Sequence, residues 1–104
     1  MTNFFTKMPF LPHAVVPGVG SFVIIDMNIS NILVRGIDDA ALSVDQKINF
    51  MLLPGVMIEA KVSRIIRNQF LLSYSVPDYI KNSIQNYFIN NIGSCDVLQY
   101  PLQV

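Results

Sequence analysis

The sequence predicts a small, closed or nearly closed antiparallel β-sheet that is followed by one C-terminal α-helix. Short apolar runs rich in β-branched residues, separated by turn residues, extend from Ser21 to Val76. The apolar spacing then becomes helical from Pro77 onward. The 104 residues suffice for one domain with its own core. We divide the chain into an extended arm (1–20), a barrel with its helix (21–92) and a tail (93–104).

The first twenty residues contain three prolines and two glycines, which disfavour both helix and central strand. We therefore expect an extended arm, with a short strand at Ala14–Val16. Its phenylalanines at positions 4, 5 and 10 are too many for a solvated tail, so we expect them to pack on the barrel or on a second subunit.

Five further segments have the composition of strands. The clearest begins after the predicted Pro54–Gly55 turn, where apolar and polar residues alternate from Val56 to Ser63. The alternation loses phase at Arg64–Ile66, which predicts a bulge or a bend of the strand. The predicted strands are Ser21–Asp26, Ile32–Ile37, Lys47–Leu53, the segment starting at Val56, and Phe70–Val76.

The helix is predicted from Pro77 to Ile92, because apolar residues recur every four positions while Lys81 and several amides fill the other side. Pro77 suits the first helical position, and Gly93 suits the C-terminal stop. The apolar positions are Ile80, Ile84, Phe88 and Ile92.

Composition limits the function classes. Charged residues make up 13% of the chain, against about 25% in typical soluble domains, and seven basic residues balance seven acidic ones. This gives no general attraction for nucleic acid or an anionic membrane. One Cys and one His cannot form a zinc ligand set or an internal disulfide, so we expect no metal site and a reducing, cytoplasmic location. No apolar run approaches the roughly 20 residues of a membrane-spanning helix, so we also expect no membrane span.

Three segments together carry a resemblance to a known family: NISNILVRGI, then LSVDQKINFMLLPGVMIEAKVSRIIRNQFLLSYSV, then PDYIKNSIQNYFI. They resemble the PilZ domain over about Ser21–Ile92. The resemblance implies a six-stranded antiparallel β-barrel with a closing helix, and a role in bacterial cyclic di-GMP signalling, such as control of motility or biofilms. It implies no cofactor, with cyclic di-GMP as the possible ligand.

The resemblance also implies ligand contacts. Asn28 and Ser30 match the first and third positions of the family's D/N-x-S-x-x-G signature, whereas Leu33 stands where the family has glycine. The family's upstream R-x-x-x-R motif has no counterpart, since Lys7 is the basic residue found before Ser30. One flexible ammonium does not replace two guanidinium forks on two phosphates. We therefore expect a degenerate domain, in which Asn28, Ser30 and Lys7 would contact any ligand that still binds.

The helix carries more aromatic side chains than one contact with a barrel requires. Tyr79, Tyr87 and Phe88 spread over more than one side, so we predict an interaction face for a protein partner or a second copy. The predicted function is regulation through protein contacts, without catalysis. The alternatives are a genuine cyclic di-GMP receptor and an OB- or S1-like barrel that binds single-stranded nucleic acid.

Other reactive residues have simpler explanations. His13 lies in the proline-rich arm without a sequence-adjacent carboxylate, and Cys95 has no neighbouring base. The acidic loop Asp38–Asp45 lacks the spacing of a calcium loop and is read as turn residues. Two further interpretations concern groups of residues: Arg35, Arg64 and Arg67 as solvated strand-end charges, and Met8, Met27, Met51 and Met57 as core.

Overall fold

A six-stranded antiparallel sheet and one C-terminal helix form the protein in a computed structural model that describes residues 13–53, 56–93 and 101–102. The predicted mainly-β class is therefore confirmed. Lys7, the three arm phenylalanines, Met8, the Pro54–Gly55 turn and Cys95 lie outside the described residues. The elements are β1 (His13–Val16), β2 (Gly20–Met27), β3 (Asn31–Gly36), β4 (Lys47–Leu53), β5 (Val56–Ile66), β6 (Gln69–Tyr74) and α1 (Asp78–Ile92).

The sheet is nearly closed into a barrel. Its strand order is β1-β2-β3-β6-β5-β4, and all neighbours pair antiparallel. The end strands β1 and β4 approach each other without pairing, and a cavity of about 340 Å³ lies between them, lined in part by Val16 and Ile48. Closure of this kind removes most of the exposed sheet edge.

Alternation along the strands places one set of side chains in the barrel interior. On β5, buried and exposed residues alternate from Val56 to Ser63 as predicted. Of the two predicted irregularities, a bulge or a bend at Arg64–Ile66, the strand has a bulge, and its register shift lies slightly earlier, between Val62 and Arg64. The interior is filled by aliphatic side chains and by aromatic ones that include Phe22, Phe50 and Phe70. The rings of Phe22 and Phe70 meet edge to face, with centroids 6.0 Å apart.

The helix packs its apolar side into the same core. Ile84 and Phe88 are fully buried members of it, and Ile80 is half-buried against it. Gly93 ends the helix with φ of 80°, donating its N–H to the Ile89 carbonyl at 2.9 Å, as a left-handed C-terminal stop requires. Pro77 was predicted as the first helical residue, but it is the N-cap, so this prediction was wrong by one position. Its ψ of 160° is extended, as is typical of an N-cap residue.

The loop after β3 folds back over Gly36 in β3 and Gly20 in β2. Asp38 and Asp39 adopt left-handed backbone, with φ of 52° and 63°, which acidic turn residues tolerate better than most. Ala40 then lies so close to Gly36 that a Cβ on this glycine would stand 2.0 Å from the Ala40 carbonyl oxygen. Gly36 is thus required by the approach of the loop.

Candidate functional site

The turn between β2 and β3 contains the residues that match the family signature. Asn28 is buried, and its side-chain Oδ1 accepts the backbone N–H groups of Ser30 at 2.9 Å and Asn31 at 2.7 Å. The Asn28 N–H donates to the Asn31 carbonyl at 2.9 Å. The Asn28 side chain therefore closes an Asx turn, and its Oδ1 is already used by the fold.

A long-range contact fixes the same turn to the barrel. The buried Tyr74 hydroxyl on β6 donates to the Asn28 carbonyl at 2.8 Å, and the Tyr74 N–H donates to the Ser30 carbonyl at 3.0 Å. Burial raises the pKa of the Tyr74 phenol, which keeps this hydroxyl a donor. The turn is therefore held rigidly from two sides.

Replacing Asn28 with alanine should destabilise the protein much more than replacing Ser30. Asn28→Ala removes the acceptor of two backbone N–H groups in a partly buried turn, which costs about 1–3 kcal/mol. Ser30 is exposed, so Ser30→Ala should stay within about 0.5 kcal/mol. Urea unfolding followed by circular dichroism measures both, and equal losses would contradict this account of the turn.

The three arginines lie away from this turn. Arg35 pairs with Gln69 at the start of β6. It therefore lies at the same end of the sheet as Arg67, which is in the turn between β5 and β6. At about 3.3 Å per residue, Arg35 is roughly 13 Å along β3 from Asn31. Arg64 lies two strands away, opposite Leu71. The fold does not gather these guanidinium groups around Asn28 and Ser30, and Lys7 lies outside the described residues.

A buried carboxyl lies directly before the turn. A register shift between Ile24 and Asp26 lets Ile24 and Met27, three residues apart, both enter the core. Asp26 is 7% exposed, and its carboxylate accepts the Met27 N–H at 2.9 Å. Desolvation by burial raises the pKa of Asp26, and the Met27 hydrogen bond offsets only part of this. No sequence pattern indicates this burial, because the surrounding residues of β2 are apolar on both sides of the strand and do not mark the bulge.

Because the folded-state pKa of Asp26 is raised, this group favours the folded state when protonated and opposes it when ionised. Stability should fall as pH rises from the ordinary value of 3.8 through the raised folded value. Asp26→Asn removes this penalty, so its melting temperature at pH 7 should exceed the wild type by a few degrees, with a smaller difference at pH 4.

Asp39→Asn is the matched control for Asp26→Asn, because Asp39 is exposed and asparagine accepts its left-handed backbone. The control should show only a small difference from wild type, since substitutions of exposed residues usually change stability little. Calorimetric melting at both pH values measures this. A melting temperature for Asp26→Asn below that of wild type at pH 7 would contradict the assignment.

An open groove of about 660 Å³ runs over β5 and β6. Lys47 and Lys61 face each other across β4 and β5, but Glu59 also lines the groove, and Asp45 forms an ion pair with Lys61 at 3.5 Å. The carboxylates offset the two ammonium groups, so the groove has no net charge that would select an anion. Such an exposed ion pair contributes little to stability.

The predicted interaction face of the helix is partly corrected. Tyr79 is 70% exposed, whereas Tyr87 is half-buried against the core and meets Phe88 edge to face, with centroids 5.9 Å apart. Phe88 is fully buried, so including it in an interaction face was wrong. Phe88 follows Ile84 by four residues, so both side chains lie on the side of the helix that faces the core.

The outer side of the helix, which sequence reasoning treated only as a polar side, has a distinct composition. Its exposed side chains from Tyr79 to Asn90 are all uncharged. Surface helices usually carry charged side chains there. We call this set the amide face: Tyr79, Asn82, Ser83, Asn86, Ile89 and Asn90.

Two methionines on the β4–β5 hairpin also differ from expectation. Met27 is buried as predicted, but Met51 and Met57 are 51% and 56% exposed and lie directly opposite each other. They occupy the outward positions of their strands, so the core interpretation was wrong for this pair. Cross-strand methionines form an adaptable apolar contact surface.

Comparison with known proteins gives no match to a protein-family model, to a curated protein or to a solved structure. The similarity to PilZ domains is therefore a resemblance of sequence pattern. Among the described residues, no helix is long and apolar enough to cross a membrane, and no cluster of three or more acidic, histidine or cysteine side chains could hold a metal ion.

Proposed function

We propose that this protein is a PilZ-like regulatory domain of bacterial cyclic di-GMP signalling that acts through contacts with protein and has lost ordinary ligand binding. The observation that carries the proposal is the amide face, which is exposed and uncharged and includes Tyr79. Because the centres of protein interfaces are poor in charged residues and rich in tyrosine, such a surface suits recognition by another protein.

The geometry of the Asn28 turn supports the loss of ligand binding. The Asn28 Oδ1 is occupied by two backbone N–H groups, so a nucleotide could use it only by competing with the turn. Arg35 and Arg64 lie on other parts of the sheet. A doubly anionic dinucleotide needs positioned guanidinium forks, and Leu33 adds bulk where the resemblance calls for glycine.

Calorimetric titration with cyclic di-GMP separates this proposal from the receptor alternative. We expect no saturable heat up to about 100 μM ligand, while an established receptor of the PilZ family gives a full isotherm under the same conditions. Affinity in the micromolar range or tighter would overturn the proposal and restore the receptor function.

The regulatory role is tested in cells through the helix. Tyr79→Lys adds a charge to the amide face without altering the core, because Tyr79 is exposed. It should fail to restore motility or biofilm control to a deletion strain. Asn68→Lys in the β5–β6 turn is the matched control and should restore it. Full restoration by Tyr79→Lys would contradict a role for this face.

A further inference from the structure

The amide face has a spacing that suits pairing with another helix. Tyr79, Asn82, Asn86 and Ile89 follow one another at intervals of three, four and three residues, as in the contact seam of paired helices. Together with Ser83 and Asn90 they fall within roughly a third of the helix circumference at 3.6 residues per turn. They form one continuous strip opposite the buried Ile84 and Phe88.

The chemistry of this strip matches a second copy of itself. Each asparagine amide offers both donors and an acceptor, so identical strips satisfy each other without charge of either sign. A partner selected by charge would find nothing to pair with on this strip. Asparagine is also among the poorer helix formers, so three of them at i, i+4 and i+8 are not explained by helix stability.

We propose that two copies of this chain pair through α1 in antiparallel orientation, about a two-fold axis at Asn86. The proposal rests on the function proposed above and names its partner. About this axis Asn86 meets Asn86 of the second copy, and Asn82 meets Asn90 of the second copy. The interface is isologous, as expected for a symmetric dimer.

The same axis pairs the other members of the strip. Tyr79 lies opposite Gly93 of the second copy, where a Cβ on the glycine would meet no atom of the described residues within 4 Å. Ile89 lies opposite Ser83 of the second copy. The antiparallel arrangement also places opposite ends of the two helix dipoles together.

The pairing should be reversible. Two helices of 15 residues, each about 22 Å long, bury less than the roughly 1,600 Å² of a standard interface. We expect a concentration-dependent dimer in sedimentation equilibrium. Asn86→Asp places two carboxylates face to face at the axis and should weaken association at least tenfold, while Asn68→Asp, the same change in the β5–β6 turn, should leave it unchanged.

Cysteine cross-linking in a Cys95→Ser background tests the register. Under mild oxidation Asn86→Cys should give a covalent dimer rapidly. Asn82→Cys should give little dimer alone and a high yield when combined with Asn90→Cys, and Asn68→Cys is the control. Circular dichroism verifies that each variant is folded, as expected for exposed positions.

Several results would overturn the pairing: a monomer up to about 1 mM, equal association of Asn86→Asp and wild type, or cross-linking through Asn68→Cys as fast as through Asn86→Cys. A strict monomer with an active amide face in cells would assign that face to a different protein and leave the proposed function intact. Tight binding of cyclic di-GMP would overturn the proposed function and leave the cross-linking result untouched.

Discussion

Replacing Phe88 with alanine is expected to lower the free energy of unfolding by about 3–5 kcal/mol. Phe88 is fully buried in the barrel core, so the substitution removes a large apolar side chain and leaves a cavity. It also removes the ring that meets Tyr87 edge to face. Urea unfolding followed by circular dichroism measures the loss.

The neighbouring Ile89→Ala is the matched control for Phe88→Ala. Ile89 is on the same helix but 45% exposed, so its truncation should cost about 1 kcal/mol or less. Comparable losses in the two variants would show that α1 does not bury Phe88, and the division of the helix into a core side and an amide face would be wrong.

Gly36→Ala is expected to destabilise the protein by about 3 kcal/mol, because overpacking against backbone cannot be relieved by a side-chain rotation. The added Cβ would stand 2.0 Å from the carbonyl oxygen of Ala40 and 3.0 Å from its carbon. The loop after β3 would have to move off the sheet. Calorimetric melting should show a large drop in melting temperature.

Gly18→Ala separates this overlap from a purely conformational penalty. Gly18 has a φ of 78°, but no atom of the described residues lies within 4 Å of the position of a Cβ, so its substitution should cost about 1–2 kcal/mol from backbone strain alone. If Gly18→Ala proved the more harmful of the two, the close approach of Ala40 to Gly36 would be contradicted.

The strands and the helix were predictable because each depends on local pattern. Alternation from Val56 to Ser63 and the glycine at position 93 both act over a few residues. The register shifts in β2 and β4, between Ile24 and Asp26 and between Met51 and Leu53, were not predicted. Both strands contain continuous apolar runs, FVII and FMLL, so no break in an apolar–polar alternation marks their bulges as it does in β5.

The candidate site was only partly predictable for a related reason. Sequence pattern finds Asn28 but cannot show that its Oδ1 is taken by the turn or that Tyr74, 46 residues away, fixes the same turn. It groups Tyr79 with Phe88 as aromatics, although one faces solvent and the other the core. Solvent exposure follows from packing against the barrel, which composition does not reveal.

The most direct test of the central claim is a residue-resolved nuclear magnetic resonance titration of the labelled protein with cyclic di-GMP, observing the backbone amides of Ser30 and Asn31. If the Asn28 side chain serves the turn, both signals should stay in place throughout the titration and remain protected from hydrogen exchange. Saturable shifts centred on residues 28–31 would show that the turn opens to the nucleotide, and would contradict the account.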